Sequence, residues 1–411
     1  MLEIYQHHVP TRIVSGEAGL LANCSPELES FRGTKAGLVT DQVILSLGLI
    51  DGFKSSLAAA GIELVSVFSD VPQDSDVETV TRAANQFQEA GCSLFIAMGG
   101  GSVIDTAKAA NILVTHGGDL LDYQGAEVLT EPLLPLVVIP TTVGTGSEVT
   151  SVAVIADRVD HRKLTLVDHR LAPTVALLDP VVTRSLPPRL IAMTAMDALT
   201  HALEAYIDVA HNPFSDAWAV AAAATIRTSL PSALGDPESD VTQAARAKLQ
   251  QASTMAGIAF GHSMVGVVHA IAHALGGVAG VPHGLANALM LVEGLKCNAE
   301  VASDRIANIG TLTGFVEQGA ASGPASGAAS GPASGPDDDV TLSNATIRAV
   351  EVFRKQVLET AGLPLTLSEA GVTEVQIPWI VERASEDGSM IYNPKYVEPE
   401  ELTQMIQSVF Q

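Results

Sequence analysis

The chain has 411 residues, enough for two or three domains of ordinary size. Apolar residues make up 47% of it and charged residues only 17%, which excludes a largely disordered protein. The formal net charge of -24 argues against a protein that binds nucleic acid or anionic membranes, because its surface would repel phosphate groups.

The sequence carries no signal for a membrane or for export. No uninterrupted apolar run reaches the length of about 18 residues that a membrane-spanning helix needs. Residues 1–19 include charges and lack the apolar stretch of a signal peptide. The cysteines, Cys24, Cys92 and Cys297, are too few and too far apart for a disulfide framework. These features predict a cytoplasmic protein with no membrane partner.

The first part of the chain alternates between strands and helices. Short apolar strands are predicted at 36–40, 63–68, 93–98 and 136–139, and a helix is predicted at 78–90. Short apolar strands separated by helices are typical of a parallel sheet with helices on both faces. The pattern predicts an α/β domain with a Rossmann-like parallel sheet over residues 1–184.

The pattern changes after the Pro187-Pro188 pair. Helical periodicity then dominates, with helices predicted at 190–209, 216–230, 241–260 and 264–275. An all-helical domain is therefore expected over 185–411. Within it, 318–339 repeats the octapeptide AASGPASG, and small residues with Gly and Pro bury too little surface to order a chain. This segment is predicted to be a flexible surface insertion.

A glycine-rich turn follows the strand at 93–98. Gly99, Gly100 and Gly101 allow positive φ and a close approach of the backbone to a ligand. Ser102, followed by Asp105, matches a helix start. Free N–H groups at a helix start suit a pyrophosphate, but a tight strand–helix connection is an equal alternative because the Gly-x-Gly-x-x-Gly fingerprint is absent.

Two more strand ends carry polar residues. Thr141 and Thr142 follow the strand at 136–139, and Asp41 follows the strand at 36–40. Parallel strands end at the same edge of a sheet, where ligands of open α/β folds bind. Asp41 could accept hydrogen bonds from a ribose 2′-hydroxyl and repel a 2′-phosphate, or it could cap the next turn.

Five polar residues in the helical region have the spacing of a metal site. Asp197 and His201 are four residues apart, as are His269 and His273, so each pair lies on one helix face. His283 follows at a predicted helix start. Imidazole and carboxylate ligands suit iron, zinc, nickel or copper, whereas satisfied core histidines are the alternative. Spacing alone does not separate His269 from His273 as the ligand.

Four motifs together resemble the iron-containing (group III) alcohol dehydrogenase family. They are GGGSVIDTAK at 99–108, PTTVGTGSEVT at 140–150, MDALTHALEAY at 196–206 and HAIAHALGGVAGVPHGLANA at 269–288. The resemblance covers the chain apart from 318–339. It implies a dehydroquinate synthase-like architecture, with an N-terminal dinucleotide-binding domain and a C-terminal helical, metal-binding catalytic domain.

The resemblance also implies roles for the residues of the helical domain. It assigns the metal ligands to Asp197, His201, His269 and His283. His273 would lie beside the metal without binding it and help to move a proton, so that His273, Asp197 and His269 are the expected catalytic residues.

On the cofactor side, the resemblance places Gly99–Ser102, Thr141 and Thr142 on the phosphates of NAD. Asp41 would bind the adenosine ribose and favour NAD over NADP, and Lys163 would lie near the nicotinamide-side ribose. One segment departs from the family, which often has Asn-Pro-Thr where this chain has VPQDSD at 71–76. That departure puts contacts from this loop in doubt.

The implied activity is reversible hydride transfer between NAD and a small alcohol or aldehyde, with Fe²⁺ as the metal and Zn²⁺ as its alternative. The metal would act as a Lewis acid on the substrate oxygen. Phe260 matches a residue of the substrate pocket and favours an aliphatic substrate. The family also implies a homodimer or larger assembly, and 4–14 resembles an edge strand that could pair between subunits.

Other functions share this architecture. Glycerol dehydrogenase, hydroxyacid–oxoacid transhydrogenase and a dehydroquinate synthase-like lyase are the enzymatic alternatives, and a non-catalytic metal- or nucleotide-binding protein is another. A lyase acting on a phosphorylated substrate should present several Lys and Arg residues, and 190–290 contains few. Net reduction of the cofactor by a simple alcohol would separate these alternatives.

Overall fold

The computed structural model describes residues 5–159, 162–317 and 336–411. The chain separates into two compact units, His8–Leu186 and Pro187–Gln411, and the described residues 5–7 belong with the second. The sequence assigned the start of the chain to the α/β domain. Instead, the rings of Tyr5 and His7 pack on Phe214 of the helical unit.

The described residues of the first unit form nine strands. They are β1 (Arg12–Ser15), β2 (Lys35–Val39), β3 (Glu63–Phe68), β4 (Leu94–Gly99), β5 (Gly125–Ala126), β6 (Leu136–Pro140), β7 (Val152–Asp157), β8 (Arg162–Val167) and β9 (Val175–Leu178). Six of them form an entirely parallel sheet in the order β1-β9-β6-β4-β2-β3, so the predicted parallel sheet is confirmed. A small second sheet, β5-β8-β7, contains an antiparallel pair that the sequence did not predict.

Helices cover both faces of the parallel sheet. The helices of this unit are α1 (Leu20–Asn23), α2 (Gln42–Ser46), α3 (Leu49–Ala60), α4 (Val77–Glu89) and α5 (Gly101–His116). Alternate residues of β4 enter opposite cores: Leu94, Ile96 and Met98 pack on the side of α1 and α3, whereas Phe95 and Ala97 pack on the side of α4 and α5. A central strand buried on both faces explains why β4 is a continuous apolar run.

The second unit is helical, as predicted. Its helices are α6 (Pro188–Ile207), α7 (Pro213–Ala233), α8 (Asp240–Ser263), α9 (Val267–Ala279), α10 (His283–Leu312), α11 (Pro336–Thr360), α12 (Ile377–Ser385) and α13 (Pro399–Ser408). Most of the predicted insertion lies outside the described residues, but α11 already begins at Pro336, so 336–339 is helix rather than loop.

One helix of this unit lies in its interior. From Ala195 to Ile207, every residue of α6 is buried, which is the environment of a helix that is apolar on nearly all sides. Its few polar side chains are therefore held away from solvent. Within the described residues, no single helix has the length and hydropathy of a membrane span; only α8 and α9 together, across a bend of 105°, meet those limits.

Candidate metal centre and cofactor site

Three helices of the second unit bring together three of the predicted metal ligands. Asp197 comes from α6, His269 from α9 and His283 from the first residue of α10. Asp197 Oδ1 lies 3.6 Å from His269 Nε2 and 3.4 Å from His283 Nε2. Ligand atoms that share one tetrahedral cation at about 2.1 Å stand about 3.4 Å apart, so these separations suit a metal ion.

The fourth predicted ligand, His201, lies beside this group. Its ring stacks between Phe260, at 4.2 Å, and His269, at 4.4 Å between ring centroids. Its Nδ1 is 3.9 Å from Asp197 Oδ1, and it is a buried atom without a hydrogen-bond partner among the described residues. Buried polar atoms normally have a partner, so this nitrogen lacks a bond that a bound metal ion would supply.

The electrostatics of the cluster favour a positive charge. Burial alone would raise the pKa of Asp197, but His201 and His283 hold it well below its usual range. Burial lowers the pKa of His201 to about 3. Burial also opposes a charge on His269, yet hydrogen bonds with Asp197 and Glu204 raise its pKa to about 9. A metal ion could supply the charge that a proton on His269 otherwise provides.

Two residues that contact these ligands were not predicted from the sequence. Asn287 Nδ2 lies 2.6 Å from Asp197 Oδ1, 3.1 Å from His269 Nε2 and 3.2 Å from His283 Nε2. Glu204 Oε2 lies 2.6 Å from His269 Nδ1. Both could have been found from spacing, since Glu204 follows Asp197 by two helical turns and Asn287 follows His283 by one.

His273 lies next to the ligand cluster rather than within it. Its ring is parallel to that of His283, with 5.3 Å between the centroids. Its Nδ1 is 2.9 Å from Asp387 Oδ2, a contact with a loop residue distant in sequence that helical periodicity does not predict. Burial would raise the pKa of Asp387, but the hydrogen bonds from His273 and Ser389 lower it. The side chain of His273 is 27% exposed, so it can reach solvent.

In the first unit, the two predicted phosphate turns lie side by side. β4 and β6 are paired up to Gly99 and Pro140, and the Thr141 N–H donates to the Gly99 carbonyl oxygen at 3.0 Å. A Cβ atom on Gly100 would lie 3.1 Å from Thr142 Cγ2, so a side chain there would crowd the neighbouring turn. Small residues let these two turns approach each other, as they would let a ligand approach.

Two details of the glycine turn were predicted wrongly. None of Gly99, Gly100 and Gly101 has a positive φ, so glycine is required there by close packing instead. The N-cap of α5 is Gly100 rather than Ser102. Ser102 lies in the first turn of α5, and its hydroxyl accepts a hydrogen bond from the Asp74 N–H at 3.2 Å.

The remaining predicted cofactor residues have partners of their own. Asp41 follows β2, a direct neighbour of β4, and its Oδ1 accepts from the Ile44 N–H at 2.9 Å, so it caps α2. Lys163 Nζ lies 2.9 Å from Asp74 Oδ1. Asp74 belongs to the loop that departs from the family. This residue contacts both Ser102 and Lys163, two of the predicted cofactor residues. Asp41 therefore has the capping role that was the alternative to ribose binding, and this role uses one of its two carboxylate oxygens.

A buried lysine behind these turns was also missed. Lys108 of α5 has no exposed surface, and its Nζ donates to the carbonyl oxygens of Thr150 and Val152 at 2.8 Å. Burial lowers its pKa to about 8, although Asp105 and Glu148 favour the charged form. This lysine connects α5, which follows the glycine turn, to the segment that follows the Thr141–Thr142 turn.

Comparison with known proteins gives matches over both units. Residues 10–180 match the family model described as "Iron-containing alcohol dehydrogenase". Residues 191–410 match the model described as "Fe-containing alcohol dehydrogenase family, C-terminal". The NAD-dependent methanol dehydrogenase of Bacillus methanolicus is 32% identical over 400 residues, which cover 97% of this chain and 98% of the relative. The 1,3-propanediol dehydrogenase of Citrobacter freundii is 34% identical over 380 residues, 92% of each chain. A crystal structure of 1,3-propanediol oxidoreductase has a TM-score of 0.89 at 32% identity, covering 99% of this chain and 100% of that one.

Proposed function

The chain belongs to the iron-containing alcohol dehydrogenase family. We propose which of its residues bind the metal, the cofactor and the substrate, and which residue moves the proton. The chain is an alcohol dehydrogenase that transfers a hydride reversibly between a small alcohol and NAD and depends on a divalent metal ion. The helical unit would hold the metal and move the proton, and the sheet unit would hold NAD.

The proposed metal ligands are Asp197, His201, His269 and His283, with Fe²⁺ as the metal and Zn²⁺ as its alternative. The convergence of a carboxylate with imidazole nitrogens at 3.4 and 3.6 Å supports this assignment, as does the unpartnered Nδ1 of His201. When bound, the metal supplies Lewis acidity toward the substrate oxygen. The ligand set contains no cysteine, which structural zinc sites usually have.

His273 is the proposed proton carrier. If its Nδ1–H donates to Asp387 at 2.9 Å, its Nε2 carries the lone pair and can accept the proton that an alcohol loses on oxidation. The carboxylate of Asp387 stabilises the imidazolium formed in this way. Because the side chain of His273 is partly exposed, the proton can pass on to water.

NAD would bind along the carboxyl edge of the parallel sheet. The first N–H groups of α5 have no partner within the helix, and 16 residues of helix dipole lie behind them, which suits a pyrophosphate. Thr141 and Thr142 would add hydroxyl contacts from the neighbouring turn. Asp41 would accept from the adenosine ribose, and Lys163 would lie at the nicotinamide-side ribose.

The substrate and the assembly are further parts of this proposal. Phe260, stacked on His201, would provide an apolar wall for a small aliphatic alcohol or aldehyde. Among the described strands, β1 lies at the edge of the parallel sheet and its residues are mostly exposed, which suits a homodimer contact. Three buried, unpaired thiols are compatible with a cytoplasmic location.

The convergence of Asp197, His269 and His283 carries the proposal, and His269→Ala tests it. The variant should lose its metal and its NAD-linked alcohol oxidation, measured by elemental analysis and cofactor absorbance, while its affinity for NAD stays the same. His211→Ala, which removes a histidine of the same unit outside the cluster, should retain both metal and activity. Full activity of a demonstrably metal-free His269→Ala protein would contradict the assignment.

A further inference from the structure

We propose that Glu204 is a positioning residue of the metal centre, which fixes His269 in the tautomer that can bind a metal. The inference rests on the proposed function, because it concerns one of the proposed ligands. Glu204 itself contacts no proposed substrate or cofactor position. Its carboxylate is buried among α6 and the start of α9, with a residue exposure of 1%.

Both oxygens of Glu204 accept hydrogen bonds from adjacent residues of α9. Oε2 lies 2.6 Å from His269 Nδ1, and Oε1 lies 2.7 Å from the Val268 N–H. The Val268 N–H belongs to the first turn of α9, where helix geometry leaves amide donors without partners. One carboxylate therefore accepts hydrogen bonds both from an amide at the start of α9 and from His269, the proposed metal ligand on that helix.

This contact determines which nitrogen of His269 carries the lone pair. A carboxylate only accepts hydrogen bonds, so Nδ1 must be protonated to bind Glu204. In a neutral imidazole Nε2 is then unprotonated, and it is Nε2 that lies 3.6 Å from Asp197 Oδ1 in the ligand cluster. Carboxylates that orient metal-binding histidines through the other ring nitrogen act in this way.

The two bonds also explain why a carboxylate is required. A glutamine has the same shape but only one acceptor oxygen, and its NH₂ group only donates. If the amide introduced by Glu204→Gln accepted from His269, its NH₂ would face the Val268 N–H; if it turned around, its NH₂ would face the His269 Nδ1–H. Either orientation leaves a buried donor unpaired or forces His269 into the other tautomer.

Asp208 provides a matched control. It caps the C-terminal end of the same helix and has no exposed surface, but neither of its oxygens has a hydrogen-bond partner among the described residues. Asp208→Asn thus makes the same chemical change, four residues further along, without touching a proposed ligand.

The experiment measures the dissociation constant for Zn²⁺ by competition with a chelator in the full-length protein, together with NAD affinity. Glu204→Gln should weaken metal binding by about 10- to 100-fold and leave NAD binding unchanged, whereas Asp208→Asn should leave both unchanged. Unaltered metal affinity in a folded Glu204→Gln protein would overturn the inference and leave the proposed function intact. Failure of the wild-type protein to bind a divalent metal would instead refute the proposed function.

A second measurement needs no substitution at Glu204. Long-range ¹H–¹⁵N spectra of the Zn²⁺-loaded wild-type protein report which nitrogen of each histidine is protonated, and the signal of His269 is assigned by its loss in His269→Gln. We expect a proton on Nδ1. A proton on Nε2 would overturn the inference even if Glu204→Gln did not fold.

Discussion

The Lys108 ammonium donates a 2.8 Å hydrogen bond to the Thr150 carbonyl oxygen and so attaches α5 to the segment that follows the Thr141–Thr142 turn. Next to it, the Asp105 carboxylate accepts from the Ser147 hydroxyl at 2.6 Å and from the Val154 N–H at 3.0 Å. Both side chains belong to the glycine-turn motif, and both contact the segment 147–154. They hold together the two loops that are proposed to bind the cofactor phosphates.

Lys108→Met should weaken NAD binding by about tenfold, because the two loops lose the hydrogen bonds of Lys108 and keep only those of Asp105. It should also lower the free energy of unfolding by about 1–3 kcal/mol, since buried carbonyl groups are left without donors. Lys54→Met, which removes an exposed lysine of the same unit, is the control. Calorimetry compares the NAD affinities of the two variants. Equal affinities would show that Lys108 supports only the fold.

A prediction of pH dependence comes from Asp208. Burial and the neighbouring Glu204 raise the pKa of Asp208 well above 3.8, so the folded protein keeps this proton at pH values where the unfolded chain has lost it. Above pH 3.8 the folded state therefore binds more protons than the unfolded state, and this group makes stability fall as pH rises. Asp208→Asn replaces the ionisable group and so removes its contribution to the fall in stability with rising pH.

The variant should be more stable than the wild-type protein at pH 7, and the difference should shrink as the pH is lowered toward about 4. Urea unfolding at a series of pH values measures this difference directly. A constant difference across the series would mean that folding does not shift the pKa of Asp208.

The strands of the parallel sheet could be predicted because their sequence pattern is local. The alternation of Glu63–Phe68 marks β3 at the bounds that the structure gives, and the β4 run is apolar on both faces. The predicted strand at 4–14 is wrong over most of its described length, since only Arg12–Ser15 pairs with β9. His7 instead stacks on His262, at 3.9 Å between ring centroids. No local pattern reveals such a contact between residues so distant in sequence.

The same limit applies to the candidate metal site. Periodicity brought Asp197 and His201 to one face of a predicted helix, but it could not show which residues of other helices meet that face. The pairing of His273 with Asp387, 114 residues away, depends on how α9 packs against a C-terminal loop. Residue type and spacing therefore identify candidates, whereas the partners of those candidates come only from the tertiary structure.

Asn287 should strengthen metal binding through its hydrogen bond to Asp197. Asn287→Leu keeps a side chain of similar size but removes the donor 2.6 Å from Asp197 Oδ1, so metal affinity should fall by about 10- to 100-fold. The control is Asn308→Leu, on the same helix, where the amide instead bonds to the Tyr206 hydroxyl at 2.7 Å. Chelator competition should separate the two variants; equal metal affinities would mean that Asn287 only fills space.

Asp41 offers a test of cofactor selection, because a second aspartate in the same unit has the same local structure. Asp41 caps α2 with φ -124° and ψ 166°, and Asp76 caps α4 with φ -122° and ψ 168°. Each accepts a hydrogen bond from the third residue of its helix, Asp41 from Ile44 at 2.9 Å and Asp76 from Thr79 at 2.8 Å. Replacing either by glycine removes a comparable cap, which costs only a few tenths of a kcal/mol in a typical helix.

Only Asp41 follows a strand that adjoins the glycine turn in the sheet, so only its charge should repel a 2′-phosphate. Asp41→Gly should therefore raise the ratio of kcat/KM with NADP to that with NAD by about tenfold, which corresponds to about 1.4 kcal/mol of lost repulsion. Asp76→Gly should leave this ratio unchanged, although it also loses the ion pair with Arg158 at 2.5 Å and with it some stability. Steady-state rates with both cofactors give the two ratios. If the ratios of the two variants agree, Asp41 acts as a helix cap and the preference for NAD arises from another residue.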